Sequence, residues 1–152
     1  LVVAIDLSED GPRVIAVVAA GEHVLKSRGF LYVTSWLRHY REIPSRLKKS
    51  YLRRFSKSYP RIAEYIVSAR IYRELQQVVA VVESLASSIL LVDDKLVDHF
   101  KHISTVIVPE RSIRYEHHRR LMFVADNLAN YFRVVLRDSP RMFKEELRKF
   151  EK

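Results

Sequence analysis

Leu1-Val2-Val3-Ala4-Ile5-Asp6 opens the chain, and Ser88-Ile89-Leu90-Leu91-Val92-Asp93 repeats its form far downstream. Each is a short continuous apolar run closed by an aspartate. Runs of this length match a strand, and an unbroken apolar character is that of a central strand buried on both faces. Placed side by side and parallel, the two runs would bring Asp6 and Asp93 to one edge of a sheet. That edge, outside the carboxyl ends of the strands, is where open α/β sheets bind their ligands.

Outward from these runs, Ser8-Glu9-Asp10-Gly11-Pro12 reads as a turn, and Arg13–Ala20, rich in Val and Ile, as a second strand. Gly21–Gly29 is a connection, and Phe30–Ser35 reads as a third strand. The short links predict an antiparallel meander. Residues 36–58 look helical, interrupted at Pro44. Pro60 then opens a long helix at its first turn, where proline is tolerated, with Ile62, Ile66, Ala69, Val79, Val82 and Ala86 along one face. Ser88–Asp93 is the fourth strand, Asp94 caps a short helix Lys95–His102, and residues 104–108 form a fifth strand ended by Pro109. A helix over Ile113–Leu136 carries Leu121, Ala125, Leu128, Phe132 and Val135 on one stripe, and Ser139-Pro140 starts a last short helix. The order β-β-β-α-β-α-β-α predicts an α/β fold with a mixed five-stranded sheet and helices on its faces. No repeat, linker or low-complexity stretch divides it, so residues 1–152 are expected to form a single domain.

Composition narrows the chemistry. Hydrophobic residues make up 48% and charged residues 30%, enough for a packed core. The chain has no cysteine, which excludes disulfides, thiolate zinc sites and cysteine nucleophiles, and fits a reducing, cytoplasmic setting. Three glycines cannot build a phosphate-cradling loop, and Ser112 and Ser139 have no local base partner. No apolar run is long enough to cross a bilayer, and Leu1–Ile5 has no basic region before it as a signal peptide would. A first residue of Leu leads to the expectation that residues precede it. Few side-chain amides, few glycines and many arginines resemble a hyperthermophile's composition.

The formal net charge is +9, and one segment carries it. Arg38–Arg73 holds eleven Lys or Arg against Glu42 and Glu64, and the rest of the chain balances. Arg46, Lys48, Lys49, Arg53, Arg54 and Lys57 are its densest part and form a candidate nucleic-acid surface. Tyr40, Tyr51, Phe55 and Tyr59 are interleaved and could stack on unpaired bases. Equally, Leu47, Tyr51, Phe55 and Tyr59 recur every four residues, the stripe that a helix buries, with the cations solvating its outer face.

Asp126 is the third carboxylate of interest. It sits between Ala125 and Ala129 in the late helix and so borders the buried stripe. Asp6, Asp93 and Asp126, if they converge, need a divalent cation to offset their repulsion, and hard oxygen ligands suit Mg²⁺ or Mn²⁺. The competing structural readings are that Asp6 and Asp93 cap turns and that Asp126 pairs with a cation such as Arg133. His99 and His102 are spaced to share a ligand but are read as solvated or packed, and His117-His118, in a charged run, as exposed.

With Asp6 on the first strand, Asp93 on the fourth and Asp126 on a late helix, the chain resembles the ribonuclease H-like superfamily. Within it, Asp6-Leu7-Ser8-Glu9-Asp10 and Met122-Phe123-Val124-Ala125-Asp126-Asn127-Leu128-Ala129 are similar to the paired motifs of a broad family of small microbial proteins. The resemblance implies a Mg²⁺- or Mn²⁺-dependent nuclease or related phosphodiester hydrolase, with Asp6, Asp93 and Asp126 as catalytic metal ligands. It also implies a glutamate on the first long helix: Glu64, Glu74 and Glu83 are candidates, and Glu74 is taken for its mid-helix place. Leu7-Ser8 replaces the small glycine often found after the first aspartate. The alternative is a non-catalytic nucleic-acid-binding or assembly module on the same fold, with self-association left open. A PIN-like nuclease also gathers strand-end aspartates, but its first strand leads directly into a helix.

Overall fold

The computed structural model describes residues 1–152. Its centre is a five-stranded sheet of β1 (Val2–Ser8), β2 (Val14–Ala20), β3 (Ser68–Tyr72), β4 (Ile89–Val92) and β5 (Val106–Pro109), in the order β3-β2-β1-β4-β5. β1 pairs antiparallel with β2 and parallel with β4, Val2 opposite Ile89 and Ile5 opposite Val92. β2 pairs antiparallel with β3, and β4 parallel with β5. The expected adjacency of the two Asp-closed runs is therefore present.

Two expected elements differ. Phe30–Ser35 is not a strand; Arg28–Val33 is helix α2, following the single turn α1 (Glu22–Leu25). Ser27 caps α2 by accepting from the Phe30 N–H, and the helix buries Phe30, with its C-cap residue Thr34, four positions on, buried as well. A strand-like composition yields there to a cap and a helical burial pattern. The third strand lies instead at Ser68–Tyr72, inside the expected long helix. Its partner β2 is wholly buried and needs a second neighbour, and Val67 N–H already donates to Ala19 O at 2.8 Å. Ile62, Ile66 and Ala69 do share one core, but they belong successively to a helix, a loop and a strand.

Pro60 likewise sits inside a helix, α3 (Lys48–Ala63), and does not start one. It is solvent-exposed, and the buried stripe Leu52, Phe55, Tyr59 and Ile62 holds the helix through it. Short 3-10 turns at Tyr40–Glu42 and Ser45–Leu47 flank the expected break at Pro44. Downstream follow α4 (Leu75–Ser84), a 3-10 helix at Asp94–Phe100, α5 (Glu116–Asp138) and α6 (Phe143–Phe150). The outer edge of β3 is closed by the chain's last residues: Ala69 and Lys152 exchange backbone hydrogen bonds, and Ile71 N–H donates to the Glu151 carboxylate.

The strand alternation divides the core in two. Val2 and Ala4 of β1 face α3 and α5, while Val3 and Ile5 face α4 and the 94–100 helix. On the α5 side alanines are interspersed among larger residues: Ala4, Ala16 and Ala20 on the sheet, Ala125 and Ala129 on the helix. This lets α5 lie close on the sheet.

The aromatics of α3 are packing residues. Phe55 is fully buried, whereas Leu47, outside the helix, is 43% exposed. Phe55→Ala should cost about 3–5 kcal/mol. Leu47→Ala should stay within about 0.5 kcal/mol of wild type in urea denaturation.

Candidate active site

β1 alternates faces, so Asp6 and Ser8 follow Ala4 toward α5. Two residues along a strand advance about 6.6–6.8 Å. Four residues along a helix advance about 6 Å. The two elements thus run in register: Asp6 meets Asp126, and Ser8 Oγ donates to Asn130 Oδ1 at 3.0 Å. On the other side of β1, Asp93 N–H donates to Ile5 O at 2.9 Å, extending the β1–β4 ladder by one residue and setting Asp93 beside Asp6. Asp6 lies within hydrogen-bonding reach of both Asp126 and Asp93.

The fourth carboxylate comes from β5. Glu110 directly follows that strand, and ligand oxygens of Asp6, Asp93 and Glu110 lie within 4.8 Å of one another. Three carboxylates thus stand at the carboxyl ends of three adjacent parallel strands. They line an open cleft of about 610 Å³, rimmed by Arg41, Lys95, Arg111 and Arg119.

α5 also holds a loop over this cleft. Asp126 Oδ2 accepts from Tyr40 N–H at 2.7 Å, and Asn127 donates to Arg38 O at 3.0 Å. Between them lies His39, whose Nδ1 accepts from Arg41 N–H and whose Nε2 faces Glu110 at 3.3 Å and Asp126 at 3.6 Å. Asn130 donates to Asp126 Oδ1 at 3.2 Å. Arg133 stops short of Asp126, contacting Asn130 and Asp10 O instead.

Electrostatics follow from this crowding. Asp6 is held well above the ordinary carboxylate value, first by burial, then by the charge of Asp126 and the closeness of Asp93. Asp126 is also raised by burial, although His39, Asp6 and the Tyr40 N–H pull the other way. His39 is raised: burial opposes its charge, but Glu110 and Asp126 outweigh it.

Glu74 is not part of the group. It is exposed, precedes α4 instead of lying mid-helix, and stands at the end of β3, two strands from β1. Glu110 had a visible signal, since Ile107-Val108-Pro109-Glu110 ends an apolar run in an acid just as Asp6 and Asp93 do. His39 had none, because only the contacts of α5 bring its loop in. Asp93 also plays the capping part expected of Asp94: its Oδ1 accepts from Lys95 N–H at 2.9 Å. Of the basic set, Arg46, Lys49, Arg53, Arg54 and Lys57 are exposed, with Arg54 over the Trp36 ring. Lys48 is half-buried over Tyr40 and lines a smaller cleft beside Asp126. Tyr40, Phe55 and Tyr59 are buried, and Tyr51 Oη is tied to the Arg38 backbone, so these rings pack.

By structure, the chain is similar to the ribonuclease H2 from Pyrococcus horikoshii OT3, with a TM-score of 0.57 over 95% of this chain and 76% of that one. The fold is ribonuclease H-like. Sequence identity is 12%, so the likeness is one of architecture. No protein-family model and no curated protein sequence matches the chain.

A carboxyl raised in the folded state contributes stability that is present below its ordinary value of 3.8 and lost as pH rises through its folded value. His39, raised from 6.5, acts in the same sense at higher pH. The metal-free protein should therefore lose thermal stability as pH rises from mildly acid to neutral. Asp6→Asn should flatten that decline. Two unit charges about 4 Å apart interact by about 4 kcal/mol at an effective dielectric of about 20, so partial relief should stabilise the metal-free variant by about 1–2 kcal/mol at neutral pH. Thermal melts across pH with chelator present measure both, and a destabilised variant would contradict the electrostatic account.

Proposed function

We propose that the chain is a divalent-metal-dependent phosphodiester hydrolase acting on nucleic acid, with Asp6, Asp93, Glu110 and Asp126 as its acidic centre. The observation that supports this most is the convergence of Asp6, Asp93 and Glu110 within 4.8 Å at the ends of parallel strands. Anionic oxygens alone make up this donor set, which fits Mg²⁺ or Mn²⁺, and a buried aspartate raised by its neighbours is the group such a cation relieves. When bound, the cation would supply Lewis-acid polarisation of the phosphodiester and activation of water.

The chain's own residues do the rest. Asp6 and Glu110 present carboxylates to the cleft, and Asp93, with one oxygen engaged by the Lys95 N–H, offers the other. Asp126 is fixed by Tyr40 N–H and Asn130, which hold its charge against Asp6. His39, with Nδ1 accepting from Arg41 N–H, directs the Nε2 proton at Glu110 and Asp126 and so orients both carboxylates. Arg41, Lys95, Arg111 and Arg119 attract the backbone at the rim, and the exposed cations of α3 extend that surface.

Cleavage of end-labelled RNA and DNA oligonucleotides in Mg²⁺ or Mn²⁺ tests the reading. Asp6→Asn, Asp93→Asn and Glu110→Gln should each lower the rate on the order of 100-fold or more. Glu74→Gln should leave it unchanged. Salt-dependent binding without cleavage by wild type would reject the hydrolase and favour the non-catalytic binding module. Replacing Lys48, Lys49, Arg53 and Arg54 together should weaken binding and flatten the log K against log salt slope, by up to ~0.9 per lost contact on duplex DNA. An unchanged slope would make α3 a solvated face only.

A further inference from the structure

His117 and His118 are not exposed side chains of a charged run. His118 is buried and His117 half-buried, and both imidazoles turn to one carboxylate from far upstream in the chain. Glu22 Oε1 lies 2.6 Å from His117 Nε2, and Glu22 Oε2 lies 2.7 Å from His118 Nε2. Consecutive residues on a helix point about 100° apart. Here both rings converge from the first turn of α5, with ring centroids 4.3 Å apart and Tyr115 packed against each. Burial raises the Glu22 carboxyl, but the two histidines outweigh it and hold it below its ordinary value. None of the three residues lines the acidic cleft.

We propose that Glu22, His117 and His118 form a second metal site, for a Zn²⁺-class transition cation, that clamps α1 to the start of α5. Ligand atoms of the three side chains all lie within 4.8 Å of one another. Two imidazole nitrogens and one carboxylate oxygen are the donors of a borderline cation, unlike the all-oxygen acidic centre. Around tetrahedral zinc, such atoms stand roughly 3.4 Å apart, so the carboxylate needs to draw back by less than about 1 Å. Cation entry replaces these contacts, each imidazole then binding through Nε2 and carrying its proton on Nδ1. Glu22 is half-exposed, which leaves room for water as a fourth ligand. The clamp joins residues 95 and 96 positions apart, just past the turn that carries Glu110.

The proposal is independent of the hydrolase reading, and its test is run with the acidic centre disabled. In Asp6→Asn/Asp93→Asn protein, Co²⁺ should bind one to one with the visible absorption of a four-coordinate site, displaced by Zn²⁺ and not by excess Mg²⁺. Zn²⁺ should also raise the melting temperature. Loss of a second-shell partner costs about 10–100-fold in metal affinity, so losing a ligand should cost at least ~100-fold. Glu22→Gln and His117→Gln, at the less buried positions, should each do so in Zn²⁺ competition while keeping the fold's circular dichroism. Absence of the Co²⁺ band, or its persistence in the Glu22→Gln/His117→Gln double variant, would overturn the site and leave a hydrogen-bonded triad.

Discussion

A carboxylate cannot be sunk beside other carboxylates without compensation, and Asp6 is where this chain does so. It is 2% exposed, on the central strand of the sheet, with Asp126 above it and Asp93 beside it. Compensation comes from the surroundings of Asp126 more than from those of Asp6: a backbone N–H, an asparagine amide and a histidine all reach Asp126. For Asp6 the crowding shows as a carboxyl raised well above its ordinary value, by burial first and by Asp126 next. The charge left over faces the cleft, so the arrangement is tolerable when protonated or when a cation shares the oxygens.

The placement depends on close packing of α5. Alanines on both sides of the β1/β2–α5 contact bring helix and sheet together, and the match of strand and helix spacing carries two pairs, Asp6 with Asp126 and Ser8 with Asn130. The same helix then reaches past the sheet to the 38–42 segment through Asp126 and Asn127. Asp126 is therefore both a member of the acidic group and the anchor of the loop that brings His39. Its removal would disturb position as well as charge, which makes Asp6 and Asp93 the cleaner probes of the site's electrostatics.

What was legible in the sequence was what the strands alone determine. β1, β2, β4 and β5 are apolar runs with polar ends, and the burial of β1 and β4 on both faces follows from that pattern. Asp6 and Asp93 follow from strand ends, and Glu110 was available by the same rule. β3 was hidden because it is an edge strand of mixed character, Ser68-Ala69-Arg70-Ile71-Tyr72, in line with helical apolar spacing upstream. The insertion between β2 and β3, with α1, α2 and α3, could not be placed because its position comes from contacts with α5 and not from local propensity. His39, Glu22 and the burial of His118 were invisible for the same reason: each depends on partners roughly ninety residues away.

On the proposed assignments, α5 carries members of two donor sets of different softness. Asp126 near its middle belongs with hard oxygens, and His117 and His118 at its start belong with a carboxylate and two imidazoles. Divalent affinities rise from Mn²⁺ toward Cu²⁺ and Zn²⁺ at most protein sites, so an all-oxygen centre has no intrinsic means of refusing zinc. The set with two imidazoles binds the borderline cation more strongly than the all-oxygen set does. The histidine pair also sits where zinc would draw α1 against the first turn of α5, which begins at Glu116, shortly after the Glu110–Ser112 turn. Rigidity at the start of α5 would then come from residues that do not line the acidic cleft.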